Sequence, residues 1–165
     1  MAKLRILGID PGTARTGYGV VERDGSSLRH IGSGLLTTSA GEEPATRLAS
    51  LAAQLSDVLT EHRPEAVAVE RLFFSTNVTT AMQVAEARGV LLAACANAKL
   101  PVAEYTPPQV KQTVSGYGGA GKTQVTTMVV KLLGLKEAPK PDDVADALAI
   151  ALTHDAHHGL ASKLS

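Results

Sequence analysis

Four acidic residues in this 165-residue chain stand where carboxylates can do chemistry. Asp10 ends the β-rich run Leu4-Arg5-Ile6-Leu7-Gly8-Ile9 and is followed by the turn residues Pro11-Gly12-Thr13, while Glu70 ends the apolar run Ala66-Val67-Ala68-Val69. In open α/β sheets, functional groups gather just past the carboxyl ends of strands, where side chains leave the core and converge in a crevice. For either acid alone, a solvated strand end is an equally good reading. Asp143 and Asp146 shift the balance, because they lie at i and i+3 on one face of a helical run and Asp146 has apolar neighbours, Ala145 and Ala147. Asp142, beside Pro141, reads as an N-cap, and Asp143 in the first turn also suits the helix dipole. Asp146 has neither explanation. If Asp10, Glu70, Asp143 and Asp146 converge, about four negative charges share one site, which raises carboxylate pKa values unless cations offset the repulsion. Oxygen-only ligands select Mg2+ or Mn2+ over zinc. Two such ions about 4 Å apart suit phosphodiester cleavage, one activating water and the other stabilising the leaving oxygen.

Placing these acids requires a particular order of elements. Short β-rich segments at 4–10, 17–21 and 28–38, separated by Gly, Asp and Ser, predict three antiparallel strands. Leu48, Leu51, Ala52, Leu55, Val58 and Leu59 recur at helical spacing and predict a helix over 44–62, with Pro44 in its first turn. The run 66–69 reads as a strand buried on both faces, as parallel strands beneath helices are. A helix over 80–98 and a strand over 101–105 follow, the strand broken by Pro107-Pro108, and then helices over 109–113, 123–133 and 142–153. The predicted class is α/β: a mixed five-stranded sheet, three antiparallel strands then parallel strands, with helices on both faces. One domain over 1–154 and a polar, frayed tail over 155–165 are expected. His154, His157 and His158 read as solvated, lacking an acid or Cys partner at zinc spacing.

Composition excludes several classes. The chain holds 16 Lys+Arg against 16 Asp+Glu, so its net charge of zero is not the footprint of a simple basic nucleic-acid binder. Its one cysteine, Cys95, cannot form an internal disulfide, and the N-terminus lacks the apolar core of a secretory signal, so a cytoplasmic protein is expected. No apolar run approaches the roughly 20 residues that span a bilayer. The charges are segregated, however. Residues 71–136 carry seven bases and two acids, a net of +5, and the flanking segments carry −2 and −3. Phosphate contacts belong in the middle.

Gly8-Ile9-Asp10-Pro11-Gly12, Thr16-Gly17-Tyr18-Gly19, Val69-Glu70 with Phe73 and Phe74, Ala87-Arg88-Gly89-Val90, Gln109-Val110-Lys111-Gln112-Thr113-Val114, and Asp143 with Asp146-Ala147-Leu148-Ala149 together resemble the RuvC family of bacterial Holliday junction resolvases. The resemblance runs from about residue 4 to 154. It implies an RNase H-like fold, a homodimer, and Mg2+-dependent symmetrical nicking of four-way junction DNA in recombination and repair. Two Mg2+ per subunit, replaceable by Mn2+, and a branch-migration motor of the RuvA and RuvB type are implied as cofactor and partner. The family's catalytic acids and metal ligands fall on Asp10, Glu70, Asp143 and Asp146, and its active-site or DNA-contacting lysines on Lys111 and Lys122.

Arg71 and Arg88 are further candidates for DNA contact in the basic segment. Phe73 and Phe74 follow Glu70 in a polar loop, where a ring could stack on bases at the junction centre or fold back into the core; the resemblance favours Phe73 as the inserting ring. Gly116-Tyr117-Gly118-Gly119-Ala120-Gly121-Lys122-Thr123 satisfies the P-loop pattern, but a P-loop follows a buried strand, whereas 109–115 reads as helix. A glycine-rich loop presenting Lys122 is expected instead. The 80–98 helix is apolar around much of its circumference, which predicts cover on one side by the sheet and on another by a second subunit. The rival readings are a junction-binding protein without catalysis, an actin-like ATPase, for which the chain is short, and an RNase H-like nuclease acting on RNA or other branched structures.

Overall fold

Side-chain alternation along the first strand decides the layering. The computed structural model describes residues 3–72 and 77–164, with side chains described as far as residue 161. In β1 (Leu4–Asp10), Leu7 and Ile9 enter one core and Ile6 enters another on the opposite face, which Gly8 and Asp10 share by the period-2 pleat. β1 pairs antiparallel with β2 (Arg15–Asp24), and β2 pairs antiparallel with β3 (Ser27–Thr37). On its other edge β1 pairs parallel with β4 (Ala66–Glu70), which pairs parallel with β5 (Val102–Tyr105), giving the order β3-β2-β1-β4-β5. The expected mixed five-stranded sheet is present.

Helices cover both faces. α1 (Pro44–His62) and α2 (Val78–Asn97) bury Leu51, Leu55, Val58, Ala87, Leu91 and Cys95 against Leu7, Ile9, Val67 and Val69. α3 (Pro107–Ser115), α4 (Lys122–Leu133) and α5 (Asp142–Leu164) cover the other face, where Val110, Val125, Val129, Val144 and Leu148 join Ile6 and Ala68. α1 starts with Pro44 where no backbone donor is needed, and the Glu43 carboxylate accepts from the Thr46 N–H at 3.0 Å. α3 begins with Pro107-Pro108 for the same reason, under a reciprocal cap between Thr106 and Gln109. The prolines expected only to break a strand thus also open a helix.

The chain end departs most from expectation. The segment expected as a polar, frayed tail over 155–165 is helical to Leu164. Asp155 is buried there and ion-paired with Arg23 of β2, and His154 Nδ1 lies 2.8 Å from the Tyr105 hydroxyl. Asp155 is therefore not solvated and His154 is half-buried against a distant strand, while His157 and His158 are exposed.

α5 lies directly on β1 and β2 because glycines remove the side chains between them. A Cβ on Gly8 would sit 2.1 Å from the Ala147 carbonyl oxygen, and one on Gly17 would sit 2.0 Å from that of Asp143. Gly17 is the register partner of Asp10, so the helix comes closest where the first acid stands. Both encroached atoms are backbone and cannot rotate away. Gly17→Val should therefore displace the first turn of α5, costing about 1–3 kcal/mol of stability, and should abolish catalysis even if the protein stays folded. Thermal denaturation alongside a nuclease assay checks both.

Candidate active site

Strand register brings the first two acids together. β1 and β4 run parallel with Ile9 opposite Val69, so Asp10 and Glu70 are the next residues on neighbouring strands. Alternation aims both at the face covered by α5, since Gly8 meets α5 and Ala68 lies in the α5-side core. The two carboxyl groups are close enough to interact through their side chains, which raises the Asp10 carboxyl and lowers that of Glu70. Burial, and then repulsion from Glu70, Asp146 and Asp143, push the Asp10 carboxyl up to about 8.

The helix supplies the other two acids. Asp143 and Asp146 leave the first turns of α5 on the side facing Asp10, and both repel its charge. Burial raises the Asp146 carboxyl, and the Lys122 ammonium, 3.2 Å away, opposes that shift without cancelling it. Glu70 is also raised by burial and by Asp146, against the hydrogen bond from Asp10 and the attraction of Lys111 and Lys122. Burial alone would lower the Lys122 ammonium, but Asp146 and Asp142 outweigh it and raise it. Asp142 is the first residue of α5, with its carboxylate 3.4 Å from Lys122, so the expected N-cap is instead a second anchor for that lysine.

Lys122 opens α4 after a loop that follows α3, and α3 ends at Gly116 with φ +75°. A helix stands where a P-loop would need a strand, as expected. Lys111 is half-buried on α3 and faces Glu70 electrostatically. Arg71 is exposed beside the site, in a cavity of about 190 Å3 lined by Pro11, Glu70, Leu72 and Arg88. Phe73 and Phe74 lie outside the described residues. Arg88 is turned largely inward. Its side chain is 16% exposed, its Nε donates to the Glu70 carbonyl at 3.2 Å, and its Nη2 lies 2.7 Å from the Glu104 carboxylate. These contacts hold the end of β4 and turn the guanidinium toward Glu104.

Two residues escaped the sequence reading. Glu104 anchors Arg88 through the sheet, since its strand lies beside β4. Arg15 places Nη2 3.0 Å from Asp143 Oδ2. Its only sequence signal was a cation five residues after Asp10, which means nothing until β2 folds back beside β1.

Among the described residues, no three His, Cys, Asp or Glu side chains form a ready-made metal cage. Two of the four acids are instead neutralised by Lys122 and Arg15. The donor set nevertheless suits hard divalent cations: it is all oxygen, and burial followed by repulsion from the neighbouring acids raises the Asp10 carboxyl well above the usual carboxylate range. Because its folded pKa lies far above the ordinary 3.8, Asp10 binds a proton more strongly in folded than in unfolded protein between about pH 4 and 8. The Asp10 contribution to metal-free stability should therefore fall as pH rises through that window, a loss absent from Asp10→Asn and flattened by excess Mg2+. Asp10→Asn should raise the Tm at pH 8 in EDTA, which calorimetry across pH checks.

The family model for crossover junction endodeoxyribonuclease RuvC matches residues 6–154. A crossover junction endodeoxyribonuclease RuvC of Pelotomaculum thermopropionicum is 54% identical over 153 residues, 93% of each chain. The structure of Thermus thermophilus RuvC in complex with Holliday junction substrate superposes with a TM-score of 0.91 at 43% identity, covering 96% of each chain. The yeast mitochondrial Holliday junction resolvase Ydc2, at 17% identity and a TM-score of 0.68 over 98% of this chain and 85% of its own, shares the fold. An RNase H-like sheet with acids at its strand ends, matched along nearly its whole length, places this chain in the RuvC family of crossover junction endodeoxyribonucleases.

Proposed function

We propose that this chain resolves four-way DNA junctions by paired symmetrical nicks, as a structure-selective endodeoxyribonuclease of recombination and repair. The observation that carries the reading is the pairing of Asp10 and Glu70 on adjacent strand ends, beneath Asp143 and Asp146 of α5. The Thermus relative's complex with a junction supports the substrate class. A single nuclease domain, acting in the cytoplasm and including the whole of α5, fits this reading.

Asp10, Glu70, Asp143 and Asp146 would hold two Mg2+ per subunit, with Mn2+ as a substitute, supplying the activation of water and the neutralisation of the leaving oxygen. Burial and the neighbouring acids raise the Asp10 carboxyl, so protons would compete with metal at this ligand. Lys111 and Lys122 bring positive charge to the side of the site where a phosphate would lie. Arg88 orients Glu70 through its carbonyl, and exposed Arg71, whose Nε lies 3.6 Å from the Glu104 carboxylate, would exchange that partner for the DNA backbone. In-line attack breaks the P–O3′ bond and leaves 5′-phosphate and 3′-hydroxyl ends. Phe73 and Phe74 are placed by sequence beside the acids, where a ring would stack on unpaired bases, worth roughly 1–3 kcal/mol.

A homodimer matches the symmetry of the junction, giving one site to each of two equivalent strands. Val78 and Met82 on α2 support it, being large apolar residues 69% and 61% exposed on the face away from the sheet. A motor complex of the RuvA and RuvB type is the partner that family membership suggests.

A mobile four-way junction should be cut in Mg2+ and not in EDTA, with linear duplex and RNA–DNA hybrid left intact. Asp10→Asn should keep junction affinity and lose cleavage. Preferential cutting of the hybrid would overturn the substrate class. Met82→Glu should give a monomer in sedimentation at micromolar concentration, with paired nicking lost.

A further inference from the structure

We propose that Arg15 is a displaceable counter-ion for Asp143 which, once displaced by metal, becomes a contact for the DNA backbone. This rests on the reading of Asp143 as a metal ligand. Arg15 Nη2 lies 3.0 Å from Asp143 Oδ2, yet that buried oxygen receives no donor with hydrogen-bond geometry. The pair is close in charge and poorly directed, held by Coulomb attraction and lacking the two-point fork of strong arginine–carboxylate pairs. The Arg15 side chain is 55% exposed, against 28% for Asp143, so the guanidinium sits on the solvent side of the acid.

The backbone beneath this cation is pinned. Arg15 is the first residue of β2 and the register partner of Thr37. On either side of the loop, the Thr38 N–H donates to the Ala14 carbonyl at 3.0 Å, and Arg47 donates to the Thr13 carbonyl at 2.7 Å. A long side chain on a fixed base can change partner without disturbing the fold.

Electrostatics sets the direction of exchange. A monovalent guanidinium relieves the crowded acids, but it competes with any divalent ion for the same oxygen. A divalent ion carries twice the charge, so its arrival frees Arg15 at the rim of the site, where a backbone phosphate would approach. Linkage makes the effect reciprocal: a phosphate that draws Arg15 away also uncovers Asp143 for metal. Lys122 is held by two acids, Asp146 and Asp142, whereas Arg15 is paired with one, so Arg15 is the easier cation to release.

The test compares full-length wild type, Arg15→Gln and Asp143→Asn in two measurements. Calorimetric titration with Mn2+ should show Arg15→Gln binding about two- to five-fold tighter than wild type, and Asp143→Asn binding more weakly. Junction affinity measured across salt in Ca2+ should give Arg15→Gln a log–log slope shallower by about one per Arg15 engaged, with an unchanged slope in EDTA. Unaltered or weaker Mn2+ binding by Arg15→Gln, or an unchanged slope in Ca2+, overturns the proposal. If Asp143→Asn binds Mn2+ as well as wild type does, the reading of Asp143 as a ligand fails instead.

Discussion

The whole site depends on how closely α5 can approach β1 and β2. That approach exists because the sheet face beneath the helix presents Gly8 and Gly17, where any Cβ would collide with helix backbone. Removing side chains from a core surface forfeits burial, which proteins otherwise maximise. Here the loss is offset by Val144, Leu148, Ile150 and Ala151, which pack along the rest of the contact. The result brings a helix turn carrying two acids over two strand ends carrying two more. A bulky residue on the seam would have separated the pairs.

Such convergence carries an electrostatic cost, and the molecule meets it locally. The Asp10 carboxyl is shifted up so that it ionises less readily, Lys122 sits against Asp146, and Arg15 sits against Asp143. The same cations stand at the edge of the acidic centre, in reach of a polyanion. A net charge of zero therefore conceals a juxtaposition of acids and bases, each partly neutralising the other until a ligand separates them. Further out, Arg88 and Glu104 brace the end of β4, so that Glu70 is held by its backbone as well as its side-chain partner.

Polar residues were the hardest to interpret from one dimension. Asp155 and His154 looked like a solvated tail, yet they meet Arg23 and Tyr105, which lie 132 and 49 residues away in sequence. Periodicity registers apolar burial and is blind to a polar group satisfied by a distant strand. Gly116–Thr123 shows the converse: its letters fit a phosphate loop, but α3 precedes it, so its lysine turns to carboxylates.

Much of the architecture was legible in the sequence because apolar spacing is a local property. The bounds of α1, the buried strand at 66–70, and the i, i+3 pair Asp143 and Asp146 all follow from residues adjacent in the chain. The four acids could be nominated for the same reason, Asp10 and Glu70 standing at strand ends and Asp143 and Asp146 sharing one helix face. Which residues neutralise those acids was decided only in three dimensions. Arg15 reaches Asp143 across 128 residues, and Arg88 turns inward to Glu104, because strand register and helix docking bring distant segments into contact. Local sequence sets where a chain turns and which face it buries, while charge pairing depends on distance in space, and that is known only once the sheet has closed.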